Sequence, residues 1–248
     1  MKKQMIAWVG AASVVMLTGC TQSMAREPGH GSMATPMAAT SGSKAAELRA
    51  GLNNLFSEHV YLAGAATNAA LGGREAEFKA AADALDANSV AISKAIGSVY
   101  GEGAEKAFLP LWRRHIGFVV DYTVGVATSD RAKQDRAVND LVSYTQDFGA
   151  FLSSANPRLP KSVVADLVKH HVVTLKTVID AQASKDPARA YTALRAAASH
   201  MQMIADPLAE AIVKQFPDKF AYWFRPRSGF CRGSGGDVAA AGARAVFL

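Results

Sequence analysis

Cysteine is nearly absent from this sequence, and so are the short motifs that mark many enzymes. The chain has two cysteines in 248 residues, so it carries no disulfide framework and no CxxC metal motif. It contains no GxSxG, HExxH, P-loop or dinucleotide-binding fingerprint. The paired glutamates of di-iron bundles, at EExxH-type spacing, are missing as well. We therefore expect a protein that is not an enzyme.

The chain also has only a modest excess of basic over acidic residues, and few aromatic residues. There are 27 basic and 21 acidic residues, and aromatic residues make up 8% of the chain. No basic patch interleaved with aromatic side chains occurs, so we do not expect nucleic acid as a partner. The partner that the sequence does predict is a membrane, reached through a lipid; a protein partner is unknown.

Residues 1–19 have the pattern of a lipoprotein signal peptide. Lys2 and Lys3 precede an apolar run that is too short for a typical membrane span, and "LTGC" ends it at Cys20. A small residue before such a cysteine is typical of the lipobox, in which the cysteine becomes the new N-terminus and carries a diacylglycerol. We expect Cys20 to bear fatty acyl chains such as palmitate. The protein is then anchored to a membrane of the cell envelope, which is the outer membrane facing the periplasm if the host is Gram-negative.

Composition divides the rest of the chain into three regions. Residues 20–43 are rich in Ser, Thr, Gly, Pro and Ala, and we interpret them as the lipidated cysteine followed by a flexible linker. Residues 44–220 form the predicted helical domain. Residues 221–248 lose the helical pattern and are predicted to be disordered. Their composition is so unlike the domain that it leaves open whether they are a genuine part of the protein.

Residues 44–220 are predicted to form helices because alanine, leucine and lysine are abundant and strand-like alternation is absent. Clear breaks separate six helices of roughly 20 to 28 residues. They lie at Gly72-Gly73, "YGEG" (100–103), Ser129-Asp130, "SSANPRLP" (153–160) and Asp186-Pro187.

An internal repeat of 56 residues runs through this domain. His59, His115 and His171 are 56 residues apart, and the units that follow them align without a gap. Each unit spans one helical hairpin. We therefore predict an all-α fold, a six-helix bundle built from three repeated helical hairpins. Few columns agree in all three units, and histidine is the only polar residue among them.

Each histidine lies on an apolar helix face, and a second polar residue follows it 29 positions later. Leucine precedes each histidine by four residues (Leu55, Leu111, Leu167), which places both on one face. The second polar residues lie on the apolar face of the other helix of each hairpin. They are Asn88, Tyr144 and His200. We expect all six side chains to point toward the interior at equivalent depths.

Three interpretations of these six residues stay open. In the first, each histidine forms a hydrogen bond with the Asn, Tyr or His of its own repeat, giving a buried polar network that stabilises the fold. In the second, the histidines bind a transition metal ion such as Zn, Cu or Fe. The ligands are then His59, His115, His171 and His200, with Asn88 and Tyr144 as outer partners. In the third, the cluster lines a pocket for a small organic ligand.

Two considerations bear on the metal interpretation. Neutral imidazoles leave the charge of a divalent ion uncompensated, and no carboxylate occupies an equivalent inward position. Asp121 and Asp180 are candidates, but they fall at different offsets. In an open solenoid, neighbouring hairpins also lie about 10 Å apart, too far for one ion to bridge their histidines. Only a closed arrangement brings the three together, and the sequence does not decide between the two.

Two segments resemble a family of uncharacterised bacterial helical proteins. They are "AFLSSANPRLP" (150–160) and "ADPLAEAIVKQFPDKF" (205–220), and the family also has repeated "EH" positions and a "QFPD-K/R-F" ending. The resemblance covers residues 45–220 and implies no known activity. It extends to His59, Asn88, His115, His171 and His200. The chain departs from the family at Tyr144, where asparagine is commoner, and at Arg114 and His170, where glutamate often precedes the histidine.

Together these features predict a membrane-anchored, non-enzymatic binding lipoprotein of the cell envelope, with a transition metal as the candidate ligand. The alternatives are an envelope lipoprotein with a structural or interaction role, whose histidines form a buried polar network, and a protein that binds a small organic ligand within the bundle.

Overall fold

The structure, a computed structural model, describes residues 43–220, which are helical apart from short connections. The long helices are α1 (Lys44–Leu71), α2 (Glu75–Tyr100), α3 (Glu102–Ala127), α4 (Arg131–Ala155), α5 (Lys161–Ala183) and α6 (Pro187–Gln215). This confirms the predicted all-α bundle of six long helices. A short helix that the sequence did not predict, α7 (Pro217–Phe220), follows them. Within residues 43–220, none of the helices combines the length and apolar character needed to cross a bilayer.

The predictions for the two ends of the chain concern residues that the structure does not describe. They are the predicted signal peptide (1–19), the predicted lipidation of Cys20 with nearly all of the predicted linker (20–43), and the predicted disordered tail (221–248).

The six long helices close into a ring. Each helix packs against the next along the chain, and α6 packs against α1. The first helices of the three hairpins, α1, α3 and α5, also contact one another, so they lie on the inside of the ring. This is the closed arrangement that the sequence left undecided. Because the histidines sit on α1, α3 and α5, closure brings them to one place.

The turns within the three hairpins repeat the same backbone geometry. Gly73, Ser129 and Lys185 occupy equivalent positions, and their φ angles are +66°, +57° and +56°. In each turn the next residue donates its backbone N–H to a carbonyl five residues earlier, at 2.8 to 3.0 Å. A left-handed residue at this point is a common way to end a helix. The 56-residue repeat is therefore present in the backbone as well as in the sequence.

Capping residues begin the second helix of two of the hairpins. The Asp130 carboxylate accepts a hydrogen bond from the backbone N–H of Lys133, and Asp186 does the same for Arg189. Pro187 follows as the first residue of α6, where its fixed φ favours a helix and no N–H is needed. Arg74 stands at the equivalent position of the first hairpin and makes no such bond.

The "QFPDKF" segment closes one end of the bundle. Phe216 packs edge-on against Tyr100, with ring centroids 5.3 Å apart. Lys219 Nζ donates a hydrogen bond to the Val99 carbonyl at 2.6 Å, and the Tyr100 hydroxyl donates one to Gln215 at 2.8 Å. The last residues of α6 and the start of α7 are thereby tied to the connection between α2 and α3.

Candidate metal centre

Three buried histidines meet on the inside of the ring. His59, His115 and His171 expose 1%, 4% and 5% of their surface. Each offers a ring nitrogen such that the three atoms lie within 4.8 Å of one another. The two Nε2 atoms of His59 and His115 are 3.4 Å apart. This is the only group of three or more potential metal-ligating side chains found at such distances in residues 43–220.

Aromatic side chains surround the cluster on one side. The Trp112 ring lies edge-on to two of the imidazoles, with centroids 4.9 Å from His59 and 4.7 Å from His115. The Tyr144 ring lies 5.1 Å from that of His115. Phe56 and Phe108 stack against Trp112 and continue this apolar layer away from the histidines. The cluster is thus bordered by apolar ring surfaces on this side.

Burial keeps the three imidazoles neutral. It lowers the pKa of His115 to about 3 and that of His171 to about 4, and it holds the pKa of His59 well below its usual value. Repulsion between neighbouring histidines acts in the same direction: His115 and His171 oppose protonation of His59. A neutral imidazole has a free lone pair, which is the form that ligates a metal.

Several buried polar atoms around the cluster have no hydrogen-bond partner within residues 43–220. The Nδ1 atoms of all three histidines are among them, with Trp112 Nε1 and the Tyr144 hydroxyl. Leaving such a group unpaired costs about 1–3 kcal/mol. The only hydrogen bond among the three rings is the long His59–His115 contact. The cluster is therefore not a satisfied hydrogen-bond network among the described residues.

Asn88 and His200 contact the backbone instead of the histidine of their repeat. Asn88 Nδ2 donates to the Leu55 carbonyl at 3.0 Å, and His200 Nε2 donates to the Leu167 carbonyl at 2.9 Å. Leu55 and Leu167 are equivalent positions, each one turn before a histidine. In the first hairpin and in the third, the same contact thus links the two helices of the hairpin to each other. In the second hairpin, the Tyr144 hydroxyl has no such partner among the described residues.

His200 does not join the three histidines. One of its ring nitrogens is used by the Leu167 carbonyl, and its ring packs against that of His170, with centroids 4.2 Å apart. His170 itself is exposed, because adjacent residues of a helix point in directions about 100° apart. The structure thus brings together three of the four predicted ligands, and His200 lies outside that group.

The residue before each histidine meets the second polar residue of the same hairpin. Glu58 accepts a hydrogen bond from Asn88 at 2.8 Å. The Arg114 guanidinium lies 5.9 Å from the centre of the Tyr144 ring and forms a salt bridge with Asp147. His170 packs against His200. The pairs differ in chemistry but occupy equivalent places, so they join the two helices of each hairpin near the level of the cluster.

No carboxylate compensates charge at the cluster among the described residues. Asp121 is half exposed and pairs with Lys133 at 3.0 Å. Asp180 accepts hydrogen bonds from Tyr122 and Lys176, both at 2.6 Å. Both candidate acids are therefore engaged elsewhere. An ion bound here would have only neutral protein ligands.

Sequence reasoning missed two features of the site. One is the edge-on contact of Trp112 with two imidazoles. Its signal was present, because Trp112 precedes His115 by three residues on the same helix face. The other is an apolar cavity of 160 Å³ that His59 and His115 help to line. Its signal was a run of alanines on α1 where the other repeats have larger residues.

No family model matches the chain, no curated protein matches it, and no solved structure matches its fold.

Proposed function

We propose that this protein is a non-enzymatic metal-binding lipoprotein of the cell envelope, which holds one transition metal ion on His59, His115 and His171. The observation that carries the proposal is the convergence of three buried, neutral imidazoles whose ligand atoms lie within 4.8 Å of one another. The lipobox at Cys20 supports attachment to a membrane, and the resemblance to uncharacterised helical proteins supports a shared fold without an assigned activity.

The spacing of the cluster suits a three-histidine site. Metal–nitrogen bonds of about 2.0–2.1 Å in tetrahedral or trigonal geometry place ligand nitrogens about 3.3–3.6 Å apart. The His59 and His115 nitrogens, 3.4 Å apart, already have this separation. Closing the remaining gap requires a movement of about 1.5 Å at most. Small ring rotations supply such a movement, so no rearrangement of helices is needed.

The absence of charge on the ligands affects which metal ion the site would prefer. The candidates are Zn²⁺, Cu⁺ and Fe²⁺, since imidazole is a ligand for all three metals. Removing an ion from water costs free energy that rises steeply with its charge, and no carboxylate offsets that cost here. The neutral ligand set therefore favours singly charged Cu⁺, or a divalent ion that brings an anion as its fourth ligand.

Elemental analysis of the purified full chain tests the proposal. We expect close to one equivalent of a single metal in the wild type and none in the variant His59→Leu/His115→Leu/His171→Leu. Leucine is used because it keeps the apolar volume of the core, so the variant is expected to fold. The control is His200→Leu, which removes the predicted fourth ligand and is expected to retain the metal. A folded wild type without metal, or a triple variant that keeps it, would refute the proposal.

The second candidate is a structural or interaction role in the envelope, with the histidines as a buried polar network. The direct contact between His59 and His115 favours it, because two neutral imidazoles at 3.4 Å form a hydrogen bond without any ion. In that case the variants His59→Ala, His115→Ala and His171→Ala each lose stability relative to the wild type, and by the same amount whether or not a chelator is present.

A further inference from the structure

The cavity beside the histidine cluster is bounded by four helices, which come from all three repeats. It has a volume of 160 Å³ and lies among α1, α2 and α3, and Leu175 of α5 completes its wall. His59 and His115 form part of its wall, so whatever occupies it contacts the cluster. Most of the remaining wall is aliphatic, chiefly Ala63, Ala66, Ala70, Leu85, Val119 and Val124.

The wall offers no free hydrogen-bonding group from its threonines and no charged side chain. The Thr67 hydroxyl bonds to the Ala63 carbonyl at 3.0 Å and to Gln182 at 2.8 Å. The Thr123 hydroxyl donates to the Val119 carbonyl at 2.8 Å. The unpaired Nδ1 atoms of His59 and His115 are themselves buried, and almost no polar surface faces the cavity. A charged or strongly polar molecule would lose its hydrogen bonds to water here and gain few in return. The chemistry of the wall therefore selects a neutral, apolar occupant.

The volume sets the size of that occupant. An engineered apolar cavity of about 150 Å³ stays dry and binds benzene or xenon. A volume of 160 Å³ is close to that size, although this cavity is partly open to solvent beside Val120 and Val124, and it is too small for a peptide segment. We infer that this cavity is a binding site for a small neutral apolar molecule no larger than about benzene, held against the His59 and His115 rings. The inference does not depend on a bound metal.

The repeats show that the cavity comes from particular substitutions on α1. Ala63 corresponds to Val119 and Leu175 in the other two units, and Ala66 corresponds to Tyr122 and Val178. The equivalent space one repeat later, among α3, α4 and α5, has Val119 and Tyr122 in its wall and measures only 70 Å³. The larger side chains of the second unit thus leave less than half of the space that the alanines leave in the first.

A thermal-shift titration with benzene tests the site in the full chain, with a chelator in all samples. Benzene at ten times its dissociation constant is expected to raise the Tm of the wild type by about 3–6 °C. The variant Ala63→Val/Ala66→Val takes side chains of the size found in the other repeats, and we expect it to show no shift. Ala65→Val, an exposed site on the same helix, is the matched control and retains the full shift. Benzoate, which has the same ring with a charge, is expected to leave the Tm unchanged.

Three outcomes would overturn the inference: no shift in the wild type, an equal shift in the double variant, or an equal shift with benzoate. If the double variant does not fold, Ala63→Val alone replaces it, together with a crystal of the wild type under xenon, whose electron density must appear in the cavity. Because the samples hold no metal, failure of this test leaves the three-histidine proposal standing. Conversely, absence of metal in the elemental analysis leaves the cavity site standing.

Discussion

Lowering the pH from 7 to 5 is expected to destabilise the metal-free protein strongly. In the unfolded chain a histidine gains a proton below about pH 6.5, whereas the folded protein keeps His115 neutral to about pH 3 and His171 to about pH 4. The unfolded state therefore binds more protons throughout this interval, and stability falls as the pH falls. The loss begins below about pH 6.5 and continues until the folded-state pKa of each histidine is reached.

The magnitude follows from the two pKa values of each group. Between pH 7 and pH 5, protonation lowers the free energy of the unfolded chain by about 2 kcal/mol per histidine, with almost no compensation in the folded state. His115 and His171 together contribute about 4 kcal/mol, and His59, whose pKa is also lowered by burial, adds to the loss in the same direction. This is a large share of the roughly 5–15 kcal/mol that stabilises a typical domain.

Urea unfolding followed by circular dichroism, with a chelator at pH 7, 6 and 5, measures this loss. The control is the triple leucine variant at positions 59, 115 and 171, in which the loss should shrink to what the remaining histidines contribute. A wild type that loses less than about 2 kcal/mol between pH 7 and pH 5 would refute the reasoning, because the three imidazoles would then be hydrated or already protonated in the folded state.

Three further predictions follow from the cluster and the hairpin turns. Saturating the wild type with its metal, at a free concentration 100 times the Kd, is expected to raise the free energy of unfolding by about 2.7 kcal/mol, and a chelator should reverse this; no rise in calorimetry would count against the metal site. Tyr144→Phe removes a buried hydroxyl that has no partner, so the metal-free protein should gain about 1 kcal/mol in urea unfolding; a loss of stability would mean that the hydroxyl has a partner. Ser129 and Lys185 have a left-handed backbone conformation, which strains residues other than glycine. Ser129→Gly and Lys185→Gly should therefore each raise the free energy of unfolding by about 1 kcal/mol, whereas Gly73→Ala should lower it. A lower Tm for both glycine variants would contradict the turn geometry.

Much of the fold could be predicted because helix ends and helix faces depend on residues that are close together in the sequence. Breaks such as Asp186-Pro187 combine a capping side chain with a proline that suits the first helical turn, and the structure begins α6 there. The 56-residue repeat fixed the number of hairpins, because each unit has the same order of apolar positions. Closure of the ring was not predictable in this way, because it depends on α1 packing against α6 across most of the domain.

The candidate site was predictable in part for the same reason. The inward position of His59, His115 and His171 follows from helical periodicity, which the sequence shows directly. The hydrogen-bond partner of His200 could not be predicted from periodicity. It is the Leu167 carbonyl, and every residue has a backbone carbonyl, so the residue type at the partner position gives no signal. The cavity depends on differences between repeats, as at Ala63, and a search for what the repeats share passes over such differences.

The closed ring has a consequence for chain connectivity. The start of α1 and the second half of α6 lie side by side, since Arg49 and Asn53 both bond Asp206, and α7 is tied to the connection between α2 and α3. The domain therefore begins and ends at the same end of the bundle as the links between hairpins. A circular permutant that starts at Glu102 and ends at Gly101, with residues 220 and 44 joined by a short linker, moves one hairpin from the front of the chain to the back. Every hairpin still contributes its histidine from the same side, so the order of the units along the chain is immaterial to the cluster that they form.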